Sequence, residues 1–432
     1  MNPEVSGPAG PRRAVVLCKW QPVLAGELLG RVRVHVVLDA FDVAHADIDE
    51  GLLALAASVH TVSTFNALEE LATVAVSIRL QDPEVGRVVS FTEFSQLGAA
   101  YLEEVLGLGA TVPASVATRD KRLMKQVLAE AGVPTASFTS LPDPSDDAAV
   151  VLMAGRLDYP VVVKPAAGFG TMSTYFAQDA EGFLEVCRSF RYEPALSSRQ
   201  LTVESFIDGE ELHVDAYWGS GGPHFLFVSR YFAPRLAVQR GECAQDGGEL
   251  LSREAHPALY DELELFTRRV VDGLGVTGTM LHLEVFRQAD GGIVFSEIAT
   301  RTGGGWIPGL VGQALGRSIW SVVADLVVDG QTAAPRPVAP CLGVVHLRPD
   351  APGRIVEIPT AEEVLSVPGV FEAHVLQKRS DVLWMQHPSE WVVFAFIGAE
   401  TADELAALGK EIPALFPIRT VPVAPEEPGP TG

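Results

Sequence analysis

Five segments between Leu201 and Thr300 alternate apolar and polar residues with a period of two, and this pattern restricts the fold more than any other. They are LTVESFI (201–207), ELHVDAYW (211–218), HFLFVSRYF (224–232), MLHLEVFRQ (280–288) and GIVFSEIAT (292–300). Alternation puts one set of side chains on a core face and the other set on the opposite face of a sheet. A helical pattern at Pro257–Leu274 separates the third segment from the fourth. The expectation is an antiparallel sheet with a helix laid on it, an α+β unit.

The flanking sequence obeys different rules. Residues 13–117 hold short β-branched runs, AVVLC (14–18), VRVHVVL (32–38), 59–64 and VVSF (88–91), with helical spacing at 67–75 and 96–106. Such runs suit buried parallel strands of a small α/β domain. A second unit, 118–200, opens with the helix TRDKRLMKQVLAEAG (118–132), which Gly132 stops. After it come a polar loop PDPSDD (142–147), strands at 159–164 and 172–176 and a helix at 179–190. The third unit, 201–331, ends in one helix over about 306–328. A Pro-rich linker (332–340) leads to a β-rich cap (341–422) with a helix at 402–415, and 1–12 and 423–432 read as disordered tails.

A formal net charge of −23 over 432 residues argues against nucleic-acid and anionic-membrane partners, which need a basic surface. Cys18, Cys187, Cys243 and Cys341 have no metal-like spacing and read as reduced, incidental thiols. The N-terminal stretch lacks the apolar run of a secretory signal, and the expected compartment is the cytoplasm. A homodimer is left open.

Within so acidic a chain, a basic residue beside glycines stands out. Lys164 ends the hydrophobic strand YPVVVK just before PAAGFGTMS, where Gly168 and Gly170 let backbone N–H groups approach an anion. Gly168, Gly170 and Ser173 fall at dinucleotide-fingerprint spacing, but a strand comes next where that fingerprint needs a helix. Glu284 and Glu297 sit on successive strands joined by the turn ADGG, which places both carboxylates on one face. Like charges so close call for a cation, and Mg²⁺ takes one or two carboxylates plus nucleotide phosphates. Arg301, beside Gly303, Gly304 and Gly305, can meet developing negative charge. Each piece has a plain alternative: a solvated turn, an exposed face, a flexible loop.

In this order the residues resemble the ATP-grasp superfamily over about 120–310. The resemblance implies a nucleotide held between two α+β subdomains, behind an N-terminal α/β domain and under a β-rich cap. It assigns ATP contacts to Lys121, Lys164, Gly168, Gly170, Ser173, Glu204, Phe206, Ile207, Glu211 and Phe286. Within that set the glycine loop is 167–173, Glu204 and its hinge meet adenine, Glu211 binds ribose, and Phe286 lies beneath the base. Mg²⁺, with Mn²⁺ as an option, falls to Glu284 and Glu297, and Arg301 and Lys164 serve catalysis. Ala299 stands where members often carry an Asn ligand, and E-I-A-x-R-x-G-G-G looks like the amino-acid and peptide ligase branch.

The implied activity is ATP-dependent ligation of a small-molecule carboxylate to an amine through an acyl phosphate, on an amino acid or small acid of specialised metabolism. The alternatives are a carboxylase-like or nucleotide-pathway ligase and a degenerate ATP-binding regulatory module. Substrate-selecting candidates are Arg230, Arg235, His213 and Trp306.

Overall fold

The computed structural model describes residues 13–109, 112–170, 172–192, 196, 198–239, 243, 245–385 and 390–423. The two tails lie outside these, Val423 excepted. The first domain comprises β1 (Val15–Cys18), α1 (Pro22–Leu29), β2 (Val34–Asp39), α2 (Ala40–His45), α3 (Glu50–Leu53), β3 (Ser58–Val62), α4 (Leu68–Gln81), β4 (Arg87–Val89) and α5 (Gln96–Val105). Its strands pair in parallel in the order β3-β2-β1-β4, as the β-branched runs imply. Helix α1 was not expected, because its cap is Gln21, whose side chain accepts from the Leu24 amide at 2.6 Å, rather than the usual Ser, Thr, Asp or Asn.

Next come α6 (Val112–Ala117), α7 (Lys121–Glu130), β5 (Phe138–Leu141), α8 (Asp147–Ala154), β6 (Val161–Pro165), β7 (Tyr175–Ala177), α9 (Ala180–Ser189) and β8 (Leu201–Ser205). The four strands form an antiparallel sheet ordered β5-β8-β6-β7. LTVESFI therefore does not join the large sheet as expected. Its Leu201 and Val203 pack with Val161, Val163 and Phe183 in the smaller unit's core. Period two marks a strand and its buried face but carries no partner. Helix α8 also occupies ground next to the polar loop, started by Asp146 accepting from the Ala149 amide.

The remaining chain builds β9 (Glu210–Gly219), β10 (Gly222–Tyr231), α10 (Arg235–Gln239), β11 (Asp246–Leu250), α11 (Pro257–Leu274), β12 (Thr279–Arg287), β13 (Ile293–Ala299), α12 (Ile307–Leu315) and α13 (Ile319–Asp329). It continues with β14 (Cys341–Leu347), β15 (Gly353–Glu357), α14 (Ala361–Leu365), β16 (Val370–Val375), β17 (Val382–Leu383), β18 (Val393–Ala399), α15 (Ala402–Leu415) and β19 (Arg419–Val421). The expected helix 306–328 is two helices bent by 71°, because Gly316 turns left-handed at φ 72° between them. No single helix among the described residues is long and apolar enough to cross a membrane.

Part of the expected cap is continuous with the large sheet, while β17, β15 and β19 form a three-stranded sheet of their own. Eight strands run in the order β13-β12-β9-β10-β11-β14-β18-β16, so β14, β18 and β16 extend the sheet through β11. On β9 and β12, Leu212, Val214, Ala216, Leu281, Leu283 and Val285 pack against Leu263, Phe266 and Val270 of α11. Fully burying each of the Leu, Val and Phe side chains contributes about 1.5–3 kcal/mol. The alternate positions, Glu211, His213, Asp215, His282, Glu284 and Phe286, must face the other way, and there the site lies.

Candidate active site

A cavity of about 520 Å³ opens between the smaller sheet and the free face of the large one, within the usual range for ligand sites. It is lined by Lys121, Lys164, Gly168, Gly170, Glu204, Phe206, Ile207, Glu211, Glu284, Phe286, Glu297 and Arg301. Ser173 is the exception among the candidates. It does not line the cavity, and its hydroxyl donates to the Arg191 carbonyl at 2.7 Å. Its φ of 52° turns the chain there, so the spacing that drew attention to it serves the turn. Thr171, in the same loop, lies outside the described residues.

Glu284 and Glu297 are direct partners in the β12–β13 register. Lys121 leads α7, whose start is fixed by Asp120 accepting from the Arg122 amide at 3.0 Å. Its Nζ donates to the Gly168 carbonyl at 2.8 Å and stands 3.0 Å from Glu297 Oε2. Lys164, on β6, holds Glu204 Oε2 at 3.0 Å and lies 4.0 Å from Glu297 Oε2. Burial opposes the charge on Glu297, yet Lys121 and Lys164 outweigh it and hold its carboxyl well below the ordinary range. Burial and neighbouring Glu284 push Glu211 upward. Two carboxylates paired across the strands and facing the cavity are hard oxygen donors, and they fit a divalent cation such as Mg²⁺, which takes one or two of them.

Around this centre the structure adds residues that were not among the sequence candidates for catalysis or metal binding. Glu93, from the segment before α5, accepts from both Arg301 and Arg119. Arg119 also donates to the Ala167 carbonyl at 3.1 Å, so the first domain braces the loop and Arg301. His282 connects Glu284, at 3.3 Å, to Asp215, at 2.9 Å, and Asp215 accepts from His213 at 2.6 Å. The alternation on β9 and β12 carried that signal, since residues two apart share a face. Glu93 has no local signal, because its partners lie 26 and 208 residues away.

Arg301 leads into a glycine turn, of which Gly304 and Gly305 line the cavity. A Cβ on Gly303 would come 2.9 Å from His282, and one on Gly305 would come 2.7 Å from the Trp391 ring. The cavity walls also include Trp306, Ile307, Leu310, Val344, His346 and Trp391. Trp306 stacks on Phe394 at 3.4 Å, and His346 stacks on Trp391 at 4.4 Å. Of the selectivity candidates, His213, Arg235 and Trp306 line the cavity. Arg230 does not: it pairs with Glu249 at 2.5 Å and Glu210 at 3.4 Å on a half-exposed surface.

Residues 157–309 match the sequence profile of the ATP-grasp domain. The chain is 27% identical over 350 residues to an L-arginine-specific L-amino acid ligase of Bacillus subtilis, covering 78% of this chain and 83% of the relative. It is also 27% identical over 217 residues to dapdiamide A synthase of Enterobacter agglomerans, about half the length of each. Its fold superposes on the crystal structure of an L-amino acid ligase from Bacillus licheniformis with a TM-score of 0.72. That match has 20% identity and covers 96% of this chain and all of that one.

Proposed function

We propose that this chain, which belongs to the ATP-grasp superfamily, is an ATP-dependent carboxylate–amine ligase forming an amide bond on an amino acid. The observation that carries the reading is the facing pair Glu284 and Glu297 with Lys121, Lys164 and Arg301 around one cavity. In this reading, adenine lies by Phe206, Ile207 and Phe286 with Glu204 behind them, Glu211 binds the ribose, and Gly168 and Gly170 approach the phosphates. Glu284 and Glu297 would hold Mg²⁺ or Mn²⁺, which when bound would neutralise phosphate charge.

The residues then divide the chemistry. Lys121 and Lys164 draw the γ-phosphate into line for attack by a substrate carboxylate oxygen. The new P–O bond forms as the bond to ADP breaks, giving an acyl phosphate. Arg301 and the amides of Gly303–Gly305 support the oxyanion when the amine attacks the acyl carbon. Phosphate leaves, and the amine nitrogen loses its proton.

The far wall narrows the substrate. The acidic lining residues, Glu204, Asp208, Glu211, Glu284 and Glu297, come from β8, the turn into β9, β9 itself, β12 and β13, whereas the wall formed by Trp306, Ile307, Leu310, Val344, His346 and Trp391 is aromatic and aliphatic. A cationic side chain there would be buried without a counter-ion, which is costly. The acceptor end therefore suits an uncharged apolar or aromatic amino acid. Incubating the protein with Mg-ATP and pooled amino acids tests this: ADP, phosphate and an amide should appear together. ATP turnover that no amino acid stimulates would remove the ligase reading, and preference for arginine would remove its substrate part.

A further inference from the structure

Lys125 lies beside the phosphate-end lysines but does not line the cavity. Its side chain is completely buried, one turn of α7 beyond Lys121. Its Nζ donates to the Ser296 carbonyl on β13, stands 3.4 Å from Glu204 Oε1 on β8, and lies 5.5 Å above the Phe295 ring. One buried cation thus touches strands of both sheets. Glu204 Oε1 has no hydrogen-bond partner among the described residues, while Oε2 is held by Lys164 at 3.0 Å.

In the ligase reading, on which the inference rests, Lys164 turns to the phosphates of ATP. That motion takes the nearest cation from a glutamate only 5% exposed to solvent. A buried carboxylate stripped of its partner is strongly destabilising. Lys125 waits on the opposite oxygen, a few tenths of an ångström beyond hydrogen-bond reach.

We propose that Lys125 is a positioning residue that takes over Glu204 when Lys164 moves to the phosphates, so that the ion pair passes from one lysine to the other inside the protein. A lysine that merely braces the two sheets would support every nucleotide ligand equally. One that frees Lys164 matters only for ligands carrying phosphate.

Calorimetric titration of Mg-ATP and of adenosine into the wild type and Lys125→Met separates the two. ATP affinity should fall about tenfold or more while adenosine affinity stays within about twofold. In Lys125→Met/Glu204→Gln no charge is stranded, so the ATP-to-adenosine affinity ratio should return to within about threefold of the wild type. The double variant carries the test by itself if the single variant does not fold. Equal losses for both ligands, an unchanged ATP affinity, or an unrestored ratio in the double variant would overturn the proposal. A wild-type protein that binds adenosine and ATP equally, or neither, would overturn the ATP reading beneath it.

Discussion

Single residues set the electrostatics of this cavity, and two of them give direct tests. Glu297 faces Glu284 and holds Lys121 at 3.0 Å, so Glu297→Gln removes a counter-ion of Lys121 and, in the proposed function, an oxygen of the metal site. Turnover should fall on the order of 100-fold, with half-maximal activation at a higher Mg²⁺ concentration, read by ADP release. His282 gives a pH test on the ligand-free protein. Burial opposes its protonation, but Asp215 and Glu284 outweigh that and raise its pKa from 6.5 to about 9. The folded state thus binds the proton more tightly than the unfolded one. The stabilisation, about 3 kcal/mol, is complete below pH 6.5 and disappears as the pH rises through about 9. Melting temperatures in chelator across that window should fall, and His282→Gln should flatten the decline.

At the level of elements, the junction of β11 with β14 matters most, because it joins the C-terminal strands to the sheet that carries Glu284 and Glu297. Gly247 makes that junction with φ 133°, and a Cβ there would come 2.1 Å from the Val344 carbonyl oxygen. An L side chain is strained in that conformation and collides with backbone that cannot yield. Gly247→Ala should cost about 3 kcal/mol or more, seen as a lower denaturation midpoint and faster proteolysis between 330 and 423. The neighbouring Asp246 accepts from Arg235 at 2.6 Å and from the Trp391 indole at 3.0 Å. Loss of the junction should therefore reduce ligase turnover as well as stability.

For the whole molecule, half of the far wall of the cavity comes from residues distant in sequence from the rest. Val344, His346 and Trp391 line it from beyond the Pro-rich stretch at 332–340. A chain ending at residue 340 loses those walls and exposes the edge of β11. Leu310 and Ala314 of α12 also lose their neighbours Leu342, Val344, Phe394 and Phe396. It should aggregate or fail to ligate, as size-exclusion chromatography and the ADP assay would record.

Local chemistry is written in the chain itself. Alternation on 280–300 set Glu284 and Glu297 on one face, Lys164 at a strand end pointed to an anion, and β-branched runs in 13–91 announced a parallel sheet. These come from periods of two and 3.6 residues and from what glycine permits, which a chain carries in any stretch of ten residues. Partnership was decided at the tertiary level. Packing put LTVESFI in the smaller sheet, joined three strands of the expected cap to the larger one, left Ser173 out of the cavity lining, and brought Glu93 to Arg301 and Lys125 to Glu204. Strand pairing, buried ion pairs and cavity walls depend on residues tens to hundreds of positions apart. No local pattern encodes which of several suitable surfaces they meet, because packing of the whole chain makes that choice.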